Sequence, residues 1–286
     1  TIGVTFINQG TVSIPFGAEF HLSSTTVTGD GQWLTPGSLY LSYSMWTGPV
    51  FGTLGNLYLS HSTMINPVFG ALGNLNLAGE STMADPAFGA LATLEVRSGS
   101  VFTVSEPLTL PLLTTIADGR LEGAGSFTVP VGGTLAAGYY NTVILSPVVN
   151  NGTILVNGYR IFLDADLTNN GLISGHGTIN RYGTATPTIT NTATGMITPG
   201  VAAGSLTIGV TFINQGTVSI PSTSSVSFSG LLLHPTGTVA VGVSGTAAGA
   251  VNVSGTGLAL AGALHVVVED GVALPVGSVL QFGSST

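Results

Sequence analysis

The residues best suited to chemistry lie between positions 164 and 181: Asp164-Ala-Asp166, then Gly175-His176-Gly177, then Arg181. Two carboxylates with an imidazole and a guanidinium can cleave a glycosidic bond, provided the carboxylates face one sugar at a set separation. Asp166 and His176 are ten residues apart, half of the repeat described below, which puts them on different faces. No catalytic residue is therefore assigned, and an enzyme is not expected. Asp164 and Asp166 share a face of one extended run and are the calcium candidates, with a corner carbonyl as a further oxygen ligand. No other metal site or cofactor is expected. The histidines (His21, His61, His176, His234, His265) are scattered without a His-x-x-x-His, and Gly29-Asp30-Gly31 occurs once where calcium-binding nonapeptides come in tandem. No Gly-x-Ser-x-Gly has a partner set for a nucleophilic serine, and Gly123-Ala-Gly125 lacks the lysine of a phosphate cradle and reads as a turn.

Two features suit contact rather than catalysis. Thr184, Thr186, Thr188, Thr190, Thr192 and Thr194 alternate and predict one row of hydroxyls. An ice-binding array needs that row on coil after coil, and only stray threonines such as Thr168 and Thr211 flank it. Trp33, Tyr40, Tyr43 and Trp46 are the candidate ligand or partner patch, able to stack sugar rings or an apolar partner.

Composition narrows the class. Of 286 residues, 12 are Asp or Glu and 4 are Arg, with no Lys and a net charge of −8. Nothing is available to neutralise a phosphate backbone, so nucleic acid is excluded as a partner. Hydrophobic residues reach 44%, which argues against disorder. The 42 glycines have no period of three, which excludes collagen. The longest apolar run, Leu258 to Val268, is too short for a membrane span. Zero cysteines exclude disulfides and thiolate metal sites and fit a secreted bacterial protein. The start at Thr1, without methionine or signal, reads as a processed or excised piece.

Repeats set the fold. Thr1-Ile-Gly-Val-Thr-Phe-Ile-Asn-Gln-Gly-Thr-Val-Ser-Ile-Pro15 recurs without change as Thr207 to Pro221. A shorter period runs through Pro49-Val-Phe51-Gly-Thr-Leu54-Gly-Asn-Leu57, Pro67-Val-Phe69-Gly-Ala-Leu72-Gly-Asn-Leu75 and Pro86-Ala-Phe88-Gly-Ala-Leu91-Ala-Thr-Leu94. A looser Gly-x-(Ile/Val/Leu) continues it at Gly152, Gly171, Gly195, Gly216, Gly237 and Gly257. Each unit reads as a glycine corner followed by a short strand of period two, with apolar residues inward and Thr, Ser and Asn outward. One such unit cannot bury its apolar face, but a stack of copies can. The expectation is an all-β, right-handed parallel β-helix (solenoid) with coils of about 20 residues. Residues 1–51 are taken as N-terminal coils with an aromatic-rich decorated segment or small insertion, and 52–286 as solenoid coils. Leu75, Leu94, Ile154, Val218 and Val239 are predicted to point inward.

Gly195-Met-Ile-Thr-Pro-Gly200-Val-Ala-Ala-Gly204-Ser-Leu-Thr-Ile208, leading to Phe212-Ile-Asn-Gln-Gly-Thr-Val218, resembles a segment of bacterial autotransporter passengers and related surface β-helix proteins. Asn169-Asn-Gly-Leu-Ile-Ser-Gly175 and Asn150-Asn-Gly-Thr-Ile-Leu155 resemble their coils, so the likeness covers about residues 95–286. It implies an exported chain, at the cell surface or outside the cell, that acts as an adhesin or structural fibre, and the expectation is that this would be a passenger alone. Residues 164–181 resemble polygalacturonases only in part, since the basic tripeptide of that family is missing. The function expected is an extracellular or cell-surface structural or adhesive solenoid. It would stack head to tail on itself as a homopolymer or belong to a longer repeat protein, because Thr1 to Ile7 and Pro275 to Phe282 form uncapped ends. The alternatives are a glycan-binding or glycan-degrading β-helix, with surface glycans as partners, and an ice-binding solenoid.

Overall fold

The computed structural model describes residues 4–29, 31–138, 140–200, 204–234, 236–244, 247–254, 258–260 and 262–268. Every regular element among them is a strand. The expected uncapped ends, and Asp30 of the Gly-Asp-Gly corner, lie largely outside the described residues. The chain forms two compact units, Thr1–Phe127 and Thr128–Thr286. Each is a parallel β-solenoid with three strands to the coil.

In the first unit, one face is the series Thr5–Ile7, Thr26–Thr28, Met45–Thr47, Thr63–Ile65, Thr82–Ala84, Val101–Thr103 and Arg120–Glu122, each paired in parallel with the next. Successive strands start 18 to 21 residues apart. The long strands Gln32–Ser42, Val50–Ser60 and Val68–Ala78 bend at a corner and contribute to both other faces. The third face opens with Glu19–Ser23 and closes with Leu91–Arg97 and Leu113–Ala117. Register holds like against like: Leu39, Leu57, Leu75 and Leu94 stack inward, as do Leu41, Leu59, Leu77, Val96 and Ile116. Phe51, Phe69 and Phe88 stack with centroids 4.9 and 5.2 Å apart. The aromatic-rich stretch 16–51 contributes paired strands to the coils, with register shifts between Trp33 and Ser38.

Glycine is required where these long strands bend. A Cβ on Gly73 would lie 2.2 Å from the Gly55 carbonyl oxygen, and one on Gly70 would lie 2.6 Å from that of Gly52. Only a hydrogen lets one coil settle on the last at these points. The next corner is polar. The N–H groups of Thr25, Ser44, Ser62 and Ser81 each donate to the serine Oγ one coil on, at 3.1 to 3.2 Å. The hydroxyls of Ser44, Ser62 and Ser81 donate in turn to carbonyls two or three residues back. The corner's buried backbone is thereby satisfied.

The second unit uses asparagine instead. Asn150, Asn169, Asn191 and Asn214 end successive strands of one face and are fully buried. The Nδ2 of each of the first three reaches the next Oδ1 at 2.7 Å. All four donate to a backbone carbonyl at the start of the following strand one coil on: Leu172, Met196, Thr217 and Thr238. These asparagines were expected to face outward; the amide satisfies two buried groups at once and so belongs inside. Ile154, Ile173, Ile197, Val218 and Val239 stack behind them. All five positions predicted to be inward are buried.

The duplicated segment folds alike in each unit. Asn8 Nδ2 donates to the Gln32 carbonyl as Asn214 Nδ2 does to Thr238. The carbonyls of Pro15 and Pro221 each accept the N–H three residues on. Gly37 and Gly249 are held against Ile14 and Ile220 in matching fashion. Among the described residues the rhythm stretches most near the end, where Leu258–Leu260 pairs with Leu231–Leu233 and Thr238–Ser244 pairs with Ala263–Val268. An antiparallel pairing of Val243–Ser244 with Ala247–Ala248 lengthens that coil.

Candidate functional site

The outward residues of the third face of the first unit form ordered rows, because strands in register bring each side chain directly over its counterpart. His21 lies on Tyr40 with ring centroids 4.5 Å apart and planes 4° from parallel, and Tyr40 lies on Tyr58 at 4.5 Å and 8°. Asn76 and Glu95 continue this row, the Asn76 amide donating to the Glu95 carboxylate, which also pairs with Arg97. Two residues earlier on each strand runs a second row. Asn56 Nδ2 donates to Ser38 Oγ (2.9 Å), Asn74 Nδ2 to Asn56 Oδ1, and Thr93 Oγ1 to Asn74 Oδ1 (2.6 Å). Glu19 anchors the start, within 3.1 Å of the His21 imidazole and 3.4 Å of the Tyr40 hydroxyl. Partial burial in the stack, then the Glu19 charge and the Tyr58 phenol, hold the Tyr40 hydroxyl above the ordinary phenol range.

A second stack stands on the adjoining corner, where Tyr43 and His61 lie 4.6 Å apart at 13°. Both have left-handed backbones, φ 49° each, as do Ser24 and Glu80 at the same corner. The serine corner imposes that conformation, and Gly99 is the glycine that meets it without strain. Tyr43 is 63% exposed.

The expected patch is thus divided. Tyr40 and Tyr43 are on the surface, but Trp33 and Trp46 are 1% exposed and contact each other inside the core at 4.7 Å. Strand alternation decides this: Trp33 is opposite Phe51, and Trp46 opposite Met64, both inward. His21, Tyr58 and His61 were missed. The register Leu39–Leu57 and Tyr40–Tyr58, legible in the 18-residue repeat, would have found Tyr58.

The other candidates stay apart. Asp166 Oδ1 accepts the Thr188 N–H one coil on, at 2.8 Å, so one of the two calcium candidates serves as a corner cap. No third carboxylate or imidazole joins Asp164 and Asp166 among the described residues. His176 sits at another corner, against Gly158, so the acid–imidazole constellation does not assemble. The threonine row also breaks. Thr188 and Thr190 share the strand Thr188–Asn191, while Thr192 and Thr194 turn into the corner and bond Asn170.

What remains is a flat strip of amide, hydroxyl, imidazole and phenol edges repeating at the coil spacing of about 4.8 Å. Ring faces cover one another, so it offers hydrogen-bonding edges. A flat periodic strip suits a polymer or surface; small molecules take concave pockets.

No protein-family model matches the chain, and no curated protein matches it. Among solved structures it is similar to the TibC-catalysed hyper-glycosylated fragment of TibA, with 14% identity over 94% of this chain and 98% of that one. The TM-score is 0.33. At that score the likeness carries no argument, and the solenoid rests on the strand pairing described above.

Proposed function

We propose that the protein is an adhesive solenoid of the cell surface or extracellular space, and that the third face of its first unit is the contact surface for a neutral, polyhydroxylated polymer. The observation that carries this reading is the pair of outward rows, His21–Tyr40–Tyr58 and Ser38–Asn56–Asn74–Thr93, aligned coil upon coil. These rows are half-buried to exposed, so besides stabilising neighbouring coils they put polar edges where a ligand can reach them. The partner is neutral because residues 1–127 hold eight carboxylates against two arginines, a field that repels polyanions. Low charge, absent cysteine and the resemblance at residues 195–218 support the location. Self-association remains part of the proposal, supported by the duplicated segment that builds the same local structure twice.

The test is retention on neutral polysaccharide matrices such as cellulose, mannan and dextran. Retention on at least one, weakened about tenfold by Tyr58→Ala or Asn74→Ala with the circular dichroism intact, is expected. Equal retention of parent and variants would refute the assignment to this face.

A further inference from the structure

We propose a second, chemically opposite binding site: the third face of the second unit takes an acidic polysaccharide through Arg160 and Arg181. The face consists of Thr142–Ile144, the C-terminal parts of Thr153–Leu163 and Leu172–Arg181, then Ser205–Gly209, Ser225–Phe228 and Ala250–Val253.

Four arginines are the only permanent side-chain cations of the chain. In the first unit both are neutralised locally, Arg97 by Glu95 and Arg120 by Glu122. Arg160 and Arg181 are exposed, and among the described residues no carboxylate lies within 4.0 Å of either. Asp164 and Asp166 follow on the same stretch of chain, yet Asp166 is turned to the Thr188 N–H. An exposed guanidinium in a chain so poor in cations is a fork of donors awaiting a planar or tetrahedral anion.

One cleft lies at Arg181, and another at the residue before Arg160. Arg181 lines one of about 390 Å³ with Thr186, Pro187, Thr211 and Ser229. Gly230 keeps it open, with nothing within 4 Å of a would-be Cβ, while the space over Gly209 is taken by Asn180 Oδ1. A guanidinium among hydroxyls and backbone is a carboxylate or sulfate site with sugar-hydroxyl partners beside it. Arg160 follows Tyr159, which with Asn157 and His176 lines a second cleft of about 580 Å³ at the other end of the strand. Tyr140 stands 6.1 Å from Tyr159, and Phe162 meets Tyr182, the residue after Arg181, edge-on at 6.4 Å. Leu163 is opposite Arg181, so the arginine backbones are one coil apart and offset roughly 10 Å along the strand. Arg160 is on the outward alternation of its strand, while Arg181, opposite the buried Leu163, is exposed at the strand's end beside its cleft, and two cations so placed fit neighbouring acidic groups on one polymer chain. The unit as a whole carries little charge, four carboxylates against two arginines, so a polyanion is not repelled from it as from the first unit.

Affinity electrophoresis of the full chain, with a chelator to prevent calcium bridging, tests this. Alginate supplies carboxylate, dextran sulfate supplies sulfate, and plain dextran is the uncharged control. Retardation by either acidic polymer is expected; it should fall with salt, weaken about tenfold for each of Arg160→Gln and Arg181→Gln, and survive Tyr58→Ala. The polymer that retards identifies the anion. Retardation unchanged in the double variant would overturn the proposal, as would none by either acidic polymer. Preferential capture of single-stranded DNA would overturn the ligand class. Loss of neutral-polymer retention in Tyr58→Ala bears only on the first unit, so the two readings fail separately.

Discussion

At the scale of residues, buried amides decide most. Asn191 accepts from Asn169, donates to Asn214 and reaches the Thr217 carbonyl, all out of water. Asn191→Ala leaves a buried acceptor on Asn214 and a cavity, and should cost roughly 2–5 kcal/mol, read as a lower urea midpoint. A loss under about 0.5 kcal/mol, the level of ordinary surface changes, would mean that the ladder is not satisfied as described. Tyr40 gives a second prediction. Its phenol is held above 10.0 in the fold by partial burial, Glu19 and Tyr58. The folded state thus binds the proton more tightly than the unfolded one. That contribution is fully present below the ordinary phenol pKa and is lost as pH rises through the folded value. Ultraviolet titration should find this phenol ionising late, and Glu19→Gln should move it back toward the ordinary value. The sequence supplied little of this, because a lone asparagine at a Gly corner reads as an exposed turn until its neighbours one coil away are known.

At the scale of elements, period and packing agree. The steps of 18 and 19 residues between Phe51, Phe69 and Phe88 are the parallel register itself, so strand direction and inward columns were legible before any coordinates. The Trp33 and Trp46 faces were not, because that stretch lacks the Pro-x-Phe-Gly signature in its first coil and the alternation could not be phased. The glycines give the check. Gly73→Ala puts a Cβ against the Gly55 carbonyl and must push two coils apart, whereas Gly10→Ala meets nothing within 4 Å. Thermal unfolding should therefore show Gly73→Ala destabilised by about 1–3 kcal/mol and Gly10→Ala within about 0.5 kcal/mol of the parent. Equal effects would mean that coil spacing is not set by these contacts.

At the scale of the whole molecule, one repeat carries two surfaces of opposite character. A solenoid fixes side chains into rows, and the residue at each outward position sets what the row can present: stacked rings and amides on the first unit, exposed arginines without a carboxylate partner among the described residues on the second. The architecture was legible because it is written in the period. The contact rows were only half legible, since outward positions vary freely and gain meaning only when register sets one beside another. Tyrosine nitration with and without a retained neutral polymer, read by mass spectrometry, tests the central claim most directly. Tyr40, Tyr43 and Tyr58 should be protected by the polymer, while Tyr140 and Tyr159 react as before. Unchanged reaction at Tyr40 and Tyr58 while the polymer is bound would contradict the account.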